Sequence, residues 1–423
     1  MMRCGSAALL ACLLSFAAAA ADTPLTLAEA LAYADAAHPD LTQAEGDLAA
    51  SLAEREQAAS RQDFYLYLDG ALSTGEQSGG DWRANNIGRL VALKPLLDFG
   101  RTEQAIAAAD QEILARRAAL LEVKSARRVD LMARYFDVLL ADMQYAADNE
   151  FMAVAYVDWD NAKVRRETGQ IGLPQLLDLE ARYQDVRERR NASMQRMRSA
   201  RQKLANAMNR PGKLPSELEE PGLPENDQAL AGYENLLSRM TEHNPRVRAL
   251  HAQLSAVDAR IAMVRADSNP TLDAEVFGAG YSRVSNTRDN LSAGLVFMVP
   301  LYQGGRVDAR IARELGEKDR LAAQLEKLKL DLSEALLDTL QEIDWLRDSA
   351  RAAADKQLEY RDWVLERSRA EYELELKTSL GTSMAETQAA KLRRKRVDYR
   401  LALALARLDA LLGSELPPAG QKK

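Results

Sequence analysis

The chain has 423 residues, 47% hydrophobic, 28% charged and only 6% aromatic, with tracts dominated by Ala, Leu, Arg, Glu and Gln. Such a composition favours long helices over a compact mixed core. A net charge of −7 argues against a nucleic-acid binder, which would show a basic excess or stripe. The only cysteines are Cys4 and Cys12, and the three histidines (His38, His243, His251) are scattered, so no metal site or thiol nucleophile is expected. No P-loop, GxSxG, HExxH or dinucleotide fingerprint occurs. The reading is of a protein that is not an enzyme and needs no cofactor.

Residues 1–21 read as a signal peptide. Arg3 supplies a positive start, Ala7 to Ala18 is apolar, and Ala19-Ala20-Ala21 offers small residues for cleavage before Asp22. Leu9-Leu10-Ala11-Cys12 weakly resembles a lipoprotein box, a reading disfavoured because cleavage there would leave Leu13 to Phe16 apolar on the mature end. No later segment is apolar for the 18 residues a helical span needs.

The rest of the chain is written twice. His38-Pro39 matches Asn244-Pro245, and Pro95 through Gly100-Arg101 matches Pro300 through Gly305-Arg306, at offsets of 206 and 205. The first repeat is placed at 22–209 and the second at 233–413, with a Pro-rich linker at 210–232 and a tail at 414–423. Each repeat opens with a helix, about 26–61 and 233–267. A β-hairpin follows, about 63–97 and 271–301. Leu291, Ala293, Leu295 and Phe297 alternate with Ser292, Gly294, Val296 and Met298, which gives one apolar face. An alternative for this run is a strand inside a β-sandwich.

Long helical tracts come next, about 101–167 and 306–374. Heptads of apolar residues (Ile106, Ile113, Leu120, then Leu131, Val138, Tyr145) are interrupted by one eleven-residue step, a stutter that locally unwinds a left-handed coil. Lys318 breaks the equivalent pattern of the second tract. Each tract turns at a Gly-containing tip, 168–174 and 377–383, and a shorter helix returns antiparallel, about 175–208 and 384–413. The glycines relieve a tight reversal.

Four strands with one apolar face cannot close alone, and bare sheet edges are not tolerated in lipid. Three copies would pool twelve strands, an even number within the barrel range.

The duplicated layout, the two X-Pro pairs, the Pro-Leu-x-x-x-Gly-Arg junctions and the two tips together resemble the TolC-like outer membrane efflux proteins. The resemblance covers nearly the whole mature chain. It implies a mostly α fold with a small transmembrane β part: long helical hairpins forming a periplasmic α-barrel, continued by a β-barrel to which each copy gives four strands, closed as a homotrimer. It implies an outer-membrane exit duct of a tripartite efflux or type I secretion system, passively conducting cargo. The partners implied are a periplasmic adaptor protein, an inner-membrane transporter and outer-membrane lipid. At the tips the adaptor-facing candidates are Gly169, Gly172, Leu173, Pro174, Thr378, Leu380, Gly381 and Ser383. Asp178 occupies an acidic family position in the first tip. Gly381 and Met384 hold the equivalents in the second, where Glu386 could substitute as an entrance acid. The alternative is a soluble periplasmic coiled-coil adaptor or scaffold, which would usually carry one hairpin beside a β-sandwich-like module.

Overall fold

The computed structural model describes residues 24–76, 80–213, 217–283, 288–376 and 380–413. The expected signal peptide (1–21), the tail (414–423) and Thr378 lie outside the described residues.

Each repeat opens with two helices rather than one. The first repeat has α1 (Leu27–Ala32) and α2 (Pro39–Ala59), where a continuous helix over 26–61 was expected. The break falls at His38-Pro39. Proline has no N–H to continue the helix but fits its first turn, and the His38 ring nitrogen accepts a hydrogen bond from the Asp40 N–H at 3.2 Å. Thr26 and Glu29 form a reciprocal capping box at the start of α1.

Strands β1 (Tyr65–Ala71), β2 (Thr74–Gly75), β3 (Arg83–Ala84) and β4 (Ile87–Leu97) follow. The pair β2–β3 extends the first hairpin, so the described residues hold six strands where four were expected. Asp98 then accepts hydrogen bonds from Gly100 and Thr102 and starts α3 (Arg101–Glu167). At ~1.5 Å per residue, its 67 residues span ~100 Å. Helix α4 (Leu173–Ala207) returns beside it.

The described part of the linker forms a belt at the level of Tyr135, midway along α3. Leu25 pairs with Leu218, and the buried Tyr135 hydroxyl sits 2.7 and 2.5 Å from the carbonyl oxygens of Leu25 and Glu219. Asn226 donates to the Asp398 carbonyl, and Arg347 donates to the carbonyls of Asn226 and Gln228.

The second repeat runs α5 (Tyr233–His243), α6 (Pro245–Ala266), β5 (Thr271–Tyr281), β6 (Leu291–Met298) and α7 (Arg306–Trp345). Asn244 caps α6 through Arg246 and Val247, again just before a proline. A π-helical turn at Leu346–Ala350 separates α7 from α8 (Arg351–Glu373), and α9 (Gly381–Leu411) returns. The heptad positions Ile113, Leu131, Val138, Leu325, Leu336 and Ile343 are buried, while Lys318 reaches out to Asp258 at 2.7 Å.

The helices form a single curved layer. Towards the sheet the order is α2–α3–α6–α7; towards the tips it is α4–α3–α9–α8, with the lower part of α7 also against α9. Only α3 and α7 run through both tiers. Buried apolar side chains of α7, α5, α6 and α9 make one core, and Leu131, Tyr135 and Phe136 of α3 with Tyr399 of α9 anchor a second around the belt.

Candidate functional site

Four of the strands form one antiparallel sheet in the order β1–β4–β5–β6, and β2 and β3 pair separately. Its register sorts the side chains by face. One row holds Leu66, Ala92, Val276 and Ala293; the next holds Leu68, Leu90, Gly278 and Leu291. Leu295 and Phe297 continue this face, which is apolar and bare: Leu68 is 80% exposed and Leu291 74%. The opposite face carries Asp69, Arg89, Asp273, Glu275 and Ser292, with Arg89 paired to Asp69 across the strands. Among the described residues the outer edges of β1 and β6 have no strand beside them, so one copy leaves two open margins. A face this apolar suits hydrocarbon, and the open margins require neighbouring strands there. Among the described residues no helix is long and apolar enough to cross a membrane, and no cluster of His, Cys, Asp or Glu could hold a metal.

The helical layer meets the sheet at two similar junctions. Gly100 and Gly305 both cap long helices with left-handed backbone, φ +94° and +74°. Asp267 at the end of α6 joins the two repeats there. Its carboxylate is ion-paired with Arg101, 3.0 Å away, and accepts a hydrogen bond from Arg310, on helices of different repeats.

At the far end the tips differ from each other. In the first, Gly169 alone has a left-handed φ, +76°, and its N–H reaches the Arg166 carbonyl. Gly172 is the extended residue before α4 and Gly381 is the first residue of α9, so neither needs glycine for its backbone. Leu173 is half exposed, and Pro174 sits in the first turn of α4. Ile171, not among the expected tip residues, is buried beneath the turn. In the second tip, Leu380 caps α9. Ser383, expected on the surface, is 6% exposed because its hydroxyl meets that of Ser368 at 2.8 Å.

Asp178 and Glu386, the acids expected at the entrance, are also in different surroundings. Asp178 pairs with Arg182 at 2.8 Å along an exposed face of α4. Glu386 on α9 is half-buried and pairs with Arg361 of α8, whose guanidinium also lies over the Tyr360 ring. Each acid is neutralised inside its own hairpin.

Residues 236–414 match the family model for outer membrane efflux proteins. Over those residues the chain is similar to that family.

Solved channels share the fold of the whole chain. The Campylobacter jejuni CmeC outer membrane channel is 13% identical with a TM-score of 0.76, over 92% of this chain and 85% of that one. The Neisseria gonorrhoeae MtrE outer membrane channel, in its open state, is 18% identical with a TM-score of 0.71, over 94% and 91%. The Vibrio cholerae outer membrane protein VceC is 17% identical with a TM-score of 0.68, over 92% and 96%. Among curated protein sequences none matches this chain.

In this fold the first hairpin has a clamp that sequence reading missed. Trp159 and Tyr183 stack with ring centroids 5.1 Å apart, Tyr156 packs edge-on to both, and Lys163 caps the Trp159 ring at 4.2 Å. The signal was available: Trp159 and Tyr183 stand twelve residues on either side of Ile171, the centre of the turn. The described residues of the second hairpin include rings at this level, Tyr360 and Trp363, but no ring stack joins its two helices. It is closed by the Ser368–Ser383 contact, by Arg361–Glu386 and by Thr387, whose hydroxyl donates to the Arg361 carbonyl.

Proposed function

We propose that the protein is the outer-membrane exit duct of a tripartite efflux or type I secretion system, conducting cargo passively from an inner-membrane transporter and a periplasmic adaptor to the exterior. The observation that carries this reading is the pairing of a bare apolar sheet face and two open sheet margins with ~100 Å helices that leave the same end. Three copies would complete a twelve-stranded barrel, with the polar face of Asp69, Arg89 and Glu275 turned to water inside. The two repeats, 22–209 and 233–413, would each give one strand hairpin and one helical hairpin per copy. The tips would be the periplasmic end and the adaptor-facing surface, with Leu173, Pro174, Leu380 and Gly381 at it. Opening would splay the hairpins, driven by docking of the partners.

The soluble-adaptor alternative draws no support. Two helical hairpins share one sheet, and that sheet shows its leucines to solvent. The test is reconstitution. Purified full-length protein in planar bilayers is expected to give discrete single-channel conductances and to run as a trimer in detergent. A water-soluble monomer without conductance would overturn the proposal.

A further inference from the structure

Helices α2 and α4 pack on α3 one above the other, and a cavity of about 660 Å³ lies where the end of α4 meets the start of α2. His38 and Asp40 line it from the α2 side, Lys203 from α4, and Arg127, Asp130 and Arg134 from α3. The matching place in the second repeat is apolar. At the offset of 205 that aligns Leu131 with Leu336, Arg127 corresponds to Leu332 and Val123 to Leu328, both buried in the core of α5, α6, α7 and α9. There the end of α9 closes directly on the start of α6, where the Asn244 side chain donates to the Leu411 carbonyl. The first repeat therefore keeps a charged cavity at a level where leucine satisfies the same fold.

Arg127 is only 7% exposed. Its Nε donates to the Ala34 carbonyl at 3.1 Å, and its Nη2 donates to the carbonyls of Tyr33 at 3.1 Å and Ala207 at 3.4 Å. These bonds gather the ends of α1 and α4, and among the described residues they leave Nη1 without an acceptor. Asp40 lies 3.8 Å from Nη1, beyond hydrogen-bond reach, and its carboxylate is 63% exposed. Asp130 is taken up by Arg134 at 2.6 Å. Burial holds the Arg127 guanidinium below its ordinary value, a shift that Asp40, Asp130 and Asp35 do not cancel. A buried cation in this state is short of a counter-ion.

Two further donors stand in the lining. Lys203 influences the Asp137 carboxyl from a distance but forms no ion pair among the described residues. The His38 Nδ1 accepts from the Asp40 N–H, so the neutral ring carries its proton on Nε2. Burial and the Arg127 charge lower the His38 pKa and keep that ring neutral.

We propose that this cavity binds the oxyanion group of a small ligand, a phosphate or a carboxylate, with Arg127 Nη1 and the Lys203 ammonium as its charged donors and the His38 Nε2–H beside them. Arg127 supplies the fixed donor, because its other nitrogens are anchored to carbonyls, and Lys203 supplies the mobile one. A cation is disfavoured by the same two charges. The cavity is built within one copy, so a failed conductance experiment would overturn the channel reading and leave the site standing.

The test is isothermal titration calorimetry of full-length protein in detergent, with inorganic phosphate and separately with acetate, at a fixed ionic strength made up with chloride. Saturable binding of at least one of the two, at one site per chain, is expected. The stronger of the two identifies the group as phosphate or carboxylate. K203Q, which changes an exposed side chain, is expected to weaken binding about tenfold, the loss of one charge-assisted contact. R198Q, on the same helix but outside the lining, is expected to bind as the unsubstituted protein does. R127L copies the second repeat and is expected to abolish binding; should it fail to fold by circular dichroism, K203Q decides alone. No saturable heat with either anion would overturn the site. Equal binding by K203Q and the unsubstituted protein, which marks an adventitious ion only, would overturn it too.

Discussion

The ring of Phe136 on α3 stacks on the ring of Tyr399 on α9, with centroids 4.6 Å apart and planes 5° from parallel. This contact joins the helical hairpins of the two repeats at the level of the belt, and Tyr135 packs edge-on against Phe136 beneath the linker. F136A would open a cavity where both repeats and the belt meet, at an expected cost of about 3 kcal/mol. Urea unfolding of the detergent-solubilised protein, followed by far-UV circular dichroism, measures it. Y399F keeps the stacked ring and is expected to cost less than half as much.

Tyr399 also makes a pH prediction. Burial, with the neighbouring Tyr135 and Asp398, pushes its hydroxyl up to about 12 from an ordinary value of 10.0. The folded chain thus keeps a proton that the unfolded chain releases from pH 10 upward. Stability from this group is complete below pH 10 and is lost as pH rises towards 12. Unfolding midpoints measured across that window are expected to fall less steeply in Y399F than in the unsubstituted protein.

The periodicities that placed the long helices, the strands and the return helices all come from burial along single elements, and a sequence displays these directly. The break at His38-Pro39 was visible as a proline but was read as interior to a helix, because the cap that makes proline acceptable there depends on the His38 ring reaching the Asp40 N–H. The π-helical turn at Leu346–Ala350 and the belt contacts of Asn226 and Arg347 depend on neighbours more than a hundred residues away. Ser383 was read as a surface residue for the same reason: its partner, Ser368, lies on another helix.

The tips give contrasting predictions for the two entrance acids. Asp178 and Arg182 are an exposed pair four residues apart, worth about 0.3–0.5 kcal/mol. D178N is expected to leave channel conductance and tip protection unchanged. Glu386 bridges α9 to α8 through Arg361 where both are half-buried, so E386Q weakens a contact between helices. The expected result is a higher open probability in single-channel recordings and faster protease cleavage at the second tip.

At the first tip, W159A removes the ring that Tyr183, Tyr156 and Lys163 all contact. Stacked aromatic pairs contribute ~0.5–1.5 kcal/mol beyond the area they bury. Loss of this clamp should loosen the first hairpin alone. Hydrogen exchange is expected to speed up over 150–190 and to stay unchanged over 350–400. Equal acceleration of both hairpins would mean that the tips open as one unit and that the clamp is not local.

The junction glycines separate backbone strain from packing. A side chain added at Gly305 would meet no neighbour within 4 Å, yet its φ of +74° is left-handed. G305A should therefore cost only the backbone penalty, about 1–2 kcal/mol. Gly316 lies inside α7, also with open space around it but without a left-handed φ. G316A should stabilise by up to ~1 kcal/mol, because alanine loses less freedom than glycine in a helix. The two substitutions add the same methyl group to the same helix, so unfolding midpoints that move in opposite directions locate the requirement in the turn from sheet to helix. Midpoints that move together would place it in the space around α7.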